Sequence, residues 1–468
     1  MMNDIVITKK DIIWGYIAKF FLIASGLITL PLVLKLLTPE EIGMNYLLLT
    51  ISSMVALLDF GFSPQFGRTF TYVHSGAQTL LKEGIEKNYN SEVNYHLLSV
   101  LLTTARYVYK RLSVVSLLFM LSIGTFYMYV VTEGFNNVNH ALSIWILFSI
   151  STYFNIYFTY YNSLLIGSGH VAEYNKAVIF SKLAYILLCI SFLFLHFGLF
   201  SIIIANFVSP FILRCYSYRI YFTKEMQAKL DSNISKDEIR EIFNIIWHNA
   251  KKLGINFIGA YLINKSNMFL VGLFLPLSEV GSFGLMIQFT TIISSIAITF
   301  FTTYQPRFSY LRINNRLTNF KELMGTTVVV YWLIMILGSI TLLFIVPLYL
   351  TYISANTMLP PFELVLLYLF VVSLEGNHSL FASLIVTDNK VPFVLAGLLS
   401  GITILVITFL VLKFTGMGLL GVVLTQLIVQ LCYNNWRWPK WVLDEFKISF
   451  GNVVSIGVKS IARYTLRK

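Results

Sequence analysis

The sequence predicts an all-α polytopic membrane protein, with about twelve transmembrane helices arranged as two parallel six-helix lobes around a central cavity. Three observations lead to this fold class: the composition, the recurrence of long apolar runs and an internal repeat. Of the 468 residues, 57% are hydrophobic and only 12% are charged, and the mean hydropathy is +0.74. Soluble domains are less apolar than this. Runs of about 20 apolar residues, the length that crosses about 30 Å of hydrocarbon, recur along the chain.

The apolar runs divide evenly between the two halves of the chain. Because they are continuous rather than alternating, helices are predicted and β-barrel strands are not. The predicted spans of the first half are about 13–37, 43–66, 112–131, 141–165, 177–197 and 199–222. Those of the second half are about 253–275, 281–303, 325–350, 362–386, 392–413 and 418–436.

The basic residues lie in alternate loops, and this predicts the topology. The net charge is +12. One set of loops contains almost no Lys or Arg, whereas the other holds most of them, including Arg68, Arg106, Arg214 and the tail from Arg437. By the positive-inside rule, the second set is cytoplasmic, and so are both termini. The excess positive charge therefore reflects topology, and we expect no nucleic-acid partner.

Neither a cleavable signal nor a metal site is expected. Lys9 and Lys10 precede a span that is too long for the core of a signal peptide. The three cysteines show neither metal-ligand spacing nor the pattern of a secreted disulfide framework. They lie in or at the end of apolar segments, at Cys189, Cys215 and Cys432.

Three segments on the predicted cytoplasmic side have the pattern of amphipathic helices that lie on a membrane surface. They are 92–112, 235–252 and the basic tail after Trp441. Ser235 and Glu238 form a predicted capping box at the start of the second segment. We expect all three to be surface helices that connect or follow the spans.

Short motifs recur in the same order in the two halves. LTPEEIG (37–43) leads into the second span and LPLSEVG (275–281) into the eighth, each with a Glu two residues before a Gly. Two further pairs are YNK (174–176) with DNK (388–390), and HFGLFSIIIANFV (196–208) with GMGLLGVVLTQLI (416–428). Since each repeat has an even number of spans, the two copies share one orientation. The predicted domains are an N-terminal lobe at 1–222, a cytoplasmic linker with an amphipathic helix at 223–250, a C-terminal lobe at 251–438 and a basic cytoplasmic tail at 439–468.

Lys265 lies near the middle of GAYLINKSNMFLVGLFLP (259–276), which otherwise has the composition of a membrane span. A charged side chain at the centre of a span costs about 3 kcal/mol on insertion scales and is expected to face protein or a watery cavity. One face of this span is polar and aromatic. We predict a substrate cavity between the lobes, lined by Lys265, Asn264, Asn267, Tyr261 and, near the cytoplasmic end of the first span, Lys19.

Three titratable residues in the spans are candidates for coupling transport to a proton or sodium gradient: Asp59, Glu375 and His378. Glu375 and His378 lie one helical turn apart, an arrangement that can carry protons. The alternatives are that Glu375 neutralises a neighbouring cation such as Lys265, and that His378 bonds to the backbone. For Asp59, near the cytoplasmic end of the second span, the alternative is a structural lock to a basic group.

Several features of enzymes are absent from the sequence. No GxxxxGK[ST] phosphate loop occurs, so ATP is not the expected energy source. No nucleophile constellation occurs, and the predicted non-cytoplasmic loops are too short to hold a catalytic domain. We therefore predict a transporter with no catalytic residues, no metal and no bound cofactor. The aromatic run YFNIYFTYY (153–161) either stacks on sugar rings or packs within the protein.

The segment LPLVLKLLTPEEIGMNYLLLTISSMVALLDFGFSPQFGR (30–68) resembles the opening of the O-antigen and polysaccharide flippases. In that family, a short L-x-P-E-x-x-G-like turn joins the first two spans, and an LLDxG-like element closes the second. The stretches IGSGHVAEYNKAVIFSKL, FGLFSIIIANFV and GMGLLGVVLTQL are similar in kind, so the resemblance covers essentially the whole chain. It implies a member of the multidrug/oligosaccharidyl-lipid/polysaccharide exporter superfamily. It also implies movement of an undecaprenyl-diphosphate-linked oligosaccharide from the cytoplasmic to the periplasmic leaflet of a bacterial inner membrane.

This function suits the predicted cavity. A lysine, asparagines and aromatic rings would replace water around a diphosphate and its sugars, while the isoprenoid tail stays in lipid. The cleft must then open sideways, and the candidates for a flexing gate are Gly26, Pro31, Gly61 and Pro64. The expected partners are the lipid-linked oligosaccharide, the membrane, and polysaccharide polymerase and chain-length proteins.

Two other functions stay open on the sequence alone. A multidrug exporter of the same superfamily would carry organic cations, so its cavity would favour carboxylates such as Asp59 and Glu375 over Lys265. A membrane polysaccharide polymerase would need a sizeable periplasmic loop with Arg-rich motifs. The predicted periplasmic loops carry almost no basic residues.

Overall fold

The computed structural model describes residues 9–82, 92–231, 233–388 and 390–465. These residues form helices and connecting turns, with no strand among them. In chain order, the helices are α1 (Lys9–Leu36), α2 (Pro39–Ala56), α3 (Phe62–His74), α4 (Tyr95–Phe119), α5 (Thr125–Val131), α6 (Ala141–Gly167), α7 (Val171–Phe194), α8 (Phe200–Tyr221), α9 (Lys224–Lys229), α10 (Lys236–Asn264), α11 (Ser266–Phe274), α12 (Leu277–Ile313), α13 (Leu317–Ile340), α14 (Val346–Tyr352), α15 (Phe362–Val386), α16 (Val394–Phe414), α17 (Gly418–Cys432), α18 (Asn434–Phe446) and α19 (Phe450–Thr465).

Among the described residues, eleven continuous helical stretches are long and apolar enough to cross a membrane. A bent pair, Phe257–Ile263 with Ser266–Phe274, makes a twelfth. The predicted fold class, an all-α polytopic membrane protein with about twelve spans, is confirmed.

The chain forms two compact units, Met1–Ile258 and Gly259–Lys468, which we call the N-terminal unit and the C-terminal unit. In the N-terminal unit, α3, α4 and α8 pack against α6, and α7 packs against α1 and α8. Gly167 lets α6 approach α3 closely, because a Cβ at this position would lie 2.6 Å from the carbonyl oxygen of Gly67.

The LTPEEIG motif builds the start of α2. The Thr38 hydroxyl accepts from the Glu41 N–H at 3.2 Å, and the Glu41 carboxylate accepts from the Thr38 N–H at 2.9 Å. Together these bonds are a capping box, with Pro39 at the first helical position. The other Glu41 oxygen accepts from the Leu199 N–H at 3.0 Å, so one buried carboxylate fixes both α2 and the start of α8.

In the C-terminal unit, α13 packs against α12 and α19, while α15 packs against α12, α17 and α18. Helix α16 packs against α11 and α17. A Cβ on Gly325 would lie 2.7 Å from the Gly457 nitrogen, so these two glycines allow close contact between α13 and α19. The basic tail, predicted as a surface helix, therefore ends in a helix that packs against a membrane span.

The other two predicted surface helices are continuous with longer helices, and their position on a membrane surface stays a prediction. Residues 95–112 belong to α4, which continues through a π-helical turn at Met120–Gly124 into α5. Residues 236–252 are the first part of α10, which runs on to Asn264. Neither segment contains Pro or Gly, so nothing in the backbone stops the helix where the amphipathic pattern gives way to the apolar one.

The third span of each unit contains a π-helical turn. It lies at Met120–Gly124 in the N-terminal unit and at Thr341–Ile345 in the C-terminal unit. In each unit this turn joins a long helix to a short one, α5 or α14. A shared irregularity at equivalent positions agrees with the internal repeat seen in the sequence.

Candidate functional site

Lys265 lies at a break in the helix. α10 ends at Asn264 and α11 begins at Ser266, and the segments on either side are bent by 41°. Lys265 has φ −128°, outside the helical range, although its N–H still donates to the Tyr261 carbonyl at 2.8 Å. The span predicted at about 253–275 is therefore broken at Lys265, which the sequence analysis did not anticipate. Non-helical backbone at membrane depth is tolerated where it is buried in protein or lines a cavity, and the polar side chains around Lys265 suit such surroundings.

The Lys265 side chain is half-buried and forms no salt bridge within the described residues. The alternative ion pair with Glu375 does not form, because Glu375 accepts a hydrogen bond from the Gln426 side chain at 2.9 Å instead. Tyr261, one turn earlier, is half-buried as well. The Asn264 side chain lies outside the described residues. An ammonium without a carboxylate partner in a span is suited to water or to an anionic ligand.

Four polar side chains in the C-terminal unit form what we call the C-terminal polar chain: Glu375, Gln426, Asn267 and Thr408. The Gln426 amide donates to Glu375 Oε1 at 2.9 Å and accepts from the Asn267 amide at 3.0 Å. Asn267 in turn accepts from the Thr408 hydroxyl at 3.3 Å. The donors all point toward the carboxylate, as a buried acceptor requires. The chain links α15, α17, α11 and α16, and it reaches α11 two residues after the break at Lys265.

His378 belongs to a separate contact. Its Nδ1 lies 2.7 Å from the Asn435 side-chain oxygen on α18. Within the described residues, no hydrogen bond joins His378 to Glu375, although they are one turn apart on α15. The structure therefore places the two predicted coupling residues in different polar contacts.

In the N-terminal unit, Asp59 is held by two donors. The Tyr109 hydroxyl donates to Oδ1 at 2.6 Å, and the Ser63 N–H donates to Oδ2 at 3.1 Å. Asp59 forms no salt bridge with a basic residue in the part of the chain that the structure describes, so the predicted lock to a basic group is not found there. A buried phenol on α4 takes that place.

The predicted gate residues differ in their surroundings. Phe60 and Gly61 both have left-handed backbone, with φ 46° and 83°, and they separate Asp59 from α3. Gly61 adopts this conformation without Cβ strain. Pro64 lies in the first turn of α3, where a missing N–H is tolerated. Gly26 and Pro31 lie inside α1, which is uninterrupted. Their role as a gate stays a prediction.

Asp59 also lines a cavity of about 560 Å³ within the N-terminal unit. Among the described residues, its polar lining consists of amides, hydroxyls and this one carboxylate, with no Lys or Arg. The Asn162 side-chain oxygen is buried without a partner in the described structure. The polar lining residues are Asn45, Ser52, Asp59, Ser63, Tyr109, Ser151, Thr152, Asn155, Thr159, Asn162 and Asn206.

The sequence analysis did not identify the polar face of α6 that lines this cavity. Ser151, Asn155 and Asn162 lie at positions i, i+4 and i+11, and this spacing places them on one side of a helix. The aromatic residues of the run 153–161 mostly pack on other rings: Phe154 lies 4.9 Å from Phe211 between ring centroids. The predicted cavity residue Lys19 lies on α1 and is exposed.

No protein-family profile and no curated protein sequence matches this chain. Solved structures match over nearly its whole length. The lipid II flippase MurJ, in an inward closed conformation, aligns with a TM-score of 0.67 at 14% identity, covering 96% of this chain and 91% of that chain. An inward-facing multidrug resistance transporter of the MATE family, in the MOP superfamily, aligns with a TM-score of 0.61 at 12% identity, covering 94% and 99%.

The MATE multidrug transporter DinF-BH, in a ligand complex, aligns with a TM-score of 0.58 at 13% identity, covering 97% of this chain and 98% of that chain. At such identities the likeness shows the fold alone. With its candidate spans, the chain is a multi-pass membrane protein, and it shares the fold of these three solved structures.

Proposed function

We propose that this protein flips a lipid-linked oligosaccharide across a bacterial inner membrane. The substrate is an undecaprenyl-diphosphate-linked repeat unit of O-antigen or another polysaccharide, moved from the cytoplasmic to the periplasmic leaflet by alternating access. The observation that carries this proposal is the half-buried Lys265 at a helix break, with no salt bridge to the described residues. The protein described as a lipid II flippase, which shares the fold, supports it.

The chemistry of such a substrate gives a role to a lysine that lies in a span and has no salt bridge to the described residues. The diphosphate brings negative charge that hydrocarbon cannot solvate, and an ammonium supplies charge-assisted hydrogen bonds to phosphate oxygens. The sugars bring hydroxyls that need donors and acceptors, which the asparagine-lined cavity supplies in quantity. The isoprenoid tail would remain in lipid beside the spans.

Asp59, Glu375 and His378 are the proposed coupling groups for a proton or sodium gradient. Neither carboxylate has a cationic partner within the described residues, so each is suited to take up a proton or a small cation during the cycle. Gly61, at the break beside Asp59, is the residue on which a proposed movement of α2 against α3 would turn. Polymerase and chain-length proteins are the proposed partners that would use the flipped unit.

A multidrug exporter is the second candidate, and a specific observation favours it. Asp59 lines a cavity whose described lining has no Lys or Arg, and such a cavity suits an organic cation. DinF-BH, described as a multidrug transporter, shares the fold. Uptake of a cationic dye by vesicles that contain the purified protein, abolished by Asp59→Asn, would support this function over the flippase.

The decisive experiment is complementation of a strain that lacks the gene. We expect the deletion to reduce surface polysaccharide and to cause lipid-linked units to accumulate inside. Lys265→Ala should lower surface polysaccharide about tenfold or more, because a hydrogen bond to a charged group is lost, whereas Lys265→Arg should retain most of it. Lys413→Ala is the matched control, since this exposed lysine at the end of α16 lies near Phe409 and Phe414.

Full activity of Lys265→Ala at normal abundance in the membrane would remove Lys265 from the substrate path. A deletion strain that accumulates no lipid-linked unit would overturn the flippase function itself. Immunoblotting of the membrane fraction separates loss of transport from loss of protein.

A further inference from the structure

Two arginines in the N-terminal unit share one cluster of aromatic rings. The guanidinium of Arg214 lies 4.3 Å from the ring centroid of Tyr161 and 4.7 Å from that of Tyr218. The guanidinium of Arg106 lies 5.4 Å from the ring centroid of Phe222. Phe222 in turn contacts both tyrosines, with centroid distances of 5.1 Å to Tyr218 and 6.2 Å to Tyr161. We call these five residues the arginine–aromatic patch.

The patch is held together by three spans and one turn. Arg106 comes from α4, Tyr161 from α6, Arg214 and Tyr218 from α8, and Phe222 directly follows α8. Tyr161 and Phe222 are buried. The rings therefore form a fixed base that contacts two positive groups from different helices.

Neither guanidinium forms a salt bridge or a hydrogen bond with the residues that the structure describes. Arg106 is exposed and Arg214 is half-buried, so a ligand can reach both. A guanidinium that lies on a ring keeps its five N–H donors at its edge, where they match two oxygens of a phosphate. Two arginines with no carboxylate partner among the described residues are suited to bind an anion.

The position in the fold narrows the class of anion. Arg214 and Tyr161 lie near the carboxyl ends of their spans, at the end of the unit that the positive-inside pattern predicts as cytoplasmic. A ligand that binds here, at the predicted cytoplasmic end of apolar spans, can place a charged headgroup at the arginines while its apolar tail remains in the lipid. Phosphate esters of lipids have this form, and two arginines suit two phosphates.

We propose that the arginine–aromatic patch binds the phosphate ester of a membrane lipid, and that its ligand in this protein is an isoprenoid diphosphate held before translocation. This inference rests on the proposed function, for which it supplies a docking site on the predicted cytoplasmic side, distinct from Lys265. The phosphodiester of a phospholipid such as phosphatidylglycerol offers the same chemistry with less charge.

The test uses the full-length protein in phosphatidylcholine nanodiscs, titrated with farnesyl diphosphate. We expect saturable binding, weakened about tenfold or more by Arg106→Gln and by Arg214→Gln, because each change removes a charge-assisted contact. Arg214→Lys keeps the charge and the fold but loses the fork of donors, so it should also bind more weakly. Arg111→Gln is the matched control. Arg111 lies on α4, as Arg106 does, and its guanidinium is 4.1 Å from the ring centroid of Tyr107, outside the patch.

Binding by Arg106→Gln and Arg214→Gln equal to that of Arg111→Gln would overturn the site. A second titration in nanodiscs that contain phosphatidylglycerol distinguishes the two sources. Unchanged affinity supports the isoprenoid diphosphate, whereas competition at equal headgroup concentration overturns that assignment in favour of a phospholipid.

The complementation experiment separates this inference from the proposed function. If the wild-type protein restores surface polysaccharide and the arginine variants bind farnesyl diphosphate normally, the proposed site is wrong and the proposed function is supported. If the wild-type protein does not restore surface polysaccharide, yet binding depends on Arg106 and Arg214, the proposed function is wrong and the proposed site is supported.

Discussion

The N-terminal and C-terminal units each hold a carboxylate in a membrane span without a cationic partner among the described residues, but they stabilise it differently. Asp59 lies at a break between helices and lines a cavity. Its carboxylate accepts hydrogen bonds from the Tyr109 hydroxyl and the Ser63 N–H. Glu375 lies inside the uninterrupted α15, and its carboxylate accepts a hydrogen bond from the side-chain amide of Gln426. Thus Asp59 is held by donors next to the helix break at which it lies. Glu375, in contrast, is connected through Gln426 and Asn267 to α11, which begins at the break at Lys265.

This difference indicates a division of tasks between the units. The two donors of Asp59 come from α3 and α4, so any change in its charge acts locally. Glu375 is the last acceptor of the C-terminal polar chain, and every donor in that chain points toward it. A change in the charge of Glu375 would therefore alter the bond that orients Gln426 and, through it, Asn267 on α11. We infer that the C-terminal carboxylate is the better placed of the two to act on Lys265.

The largest effect is expected from Glu375→Gln. Glutamine has the same shape and can still accept from Gln426, so the polar chain and the fold should persist while the charge is lost. We expect transport, measured as recovery of surface polysaccharide, to fall about tenfold or more if the charge drives coupling. Glu363→Gln, at the exposed start of the same helix, is the control. Normal transport by Glu375→Gln would show that only the acceptor oxygen matters, and the proposed division of tasks would fail.

A smaller effect, measured on stability, is expected from Tyr109→Phe. This tyrosine is fully buried, and its hydroxyl is one of two donors to Asp59. Its removal leaves one carboxylate oxygen without that donor, which should lower the free energy of unfolding by about 1–3 kcal/mol. Thermal unfolding in detergent measures the change, with Tyr153→Phe on α6 as the control. Equal melting temperatures for the two variants would mean that water from the cavity replaces the lost donor.

The fold was largely predictable because run length and charge distribution are properties of the sequence itself. The twelve spans follow from apolar runs, and the capping box at Ser235 and Glu238 follows from a local motif. The break at Lys265 was not predicted, because the stretch around it contains neither Gly nor Pro between Tyr261 and Asn267. Run length does not register such a break, since it counts residues and not backbone geometry.

The partners of the site residues were beyond the sequence for a different reason. Tyr109 and Gln426 lie far along the chain from Asp59 and Glu375, so only tertiary structure brings them together. Arg106 and Arg214 were counted as evidence of topology, and their shared aromatic base depends on contacts among three helices. The asparagines of α6 are the exception, because their spacing on one face could have been recognised from the sequence.

The smallest effect concerns a carboxylate outside the spans, where solvent weakens every contact. Glu238, at the start of α10, accepts from the hydroxyl and the N–H of Ser235 at 2.7 and 2.8 Å, and it contacts His96 on α4 at 2.6 Å. The Ser235 donors, followed by His96, lower the pKa of Glu238 to about 2. Because the folded pKa lies below the ordinary value near 4.5, the stabilisation is complete above that value and is lost as the pH falls toward 2.

Hydrogen exchange of the first turn of α10 measures this effect. At neutral pH, Glu238→Gln should speed exchange in that turn, because the capping box loses its charged acceptor, and surface polysaccharide should stay unchanged. Glu241→Gln, three residues further along the same helix, is the control for loss of one surface charge. In the wild-type protein, protection of the turn should be constant from pH 7 down to about 5 and decline below the ordinary pKa of a glutamate. A transport defect in Glu238→Gln would instead show that this surface carboxylate contributes to transport, and it would contradict the expected difference between intramembrane and surface carboxylates.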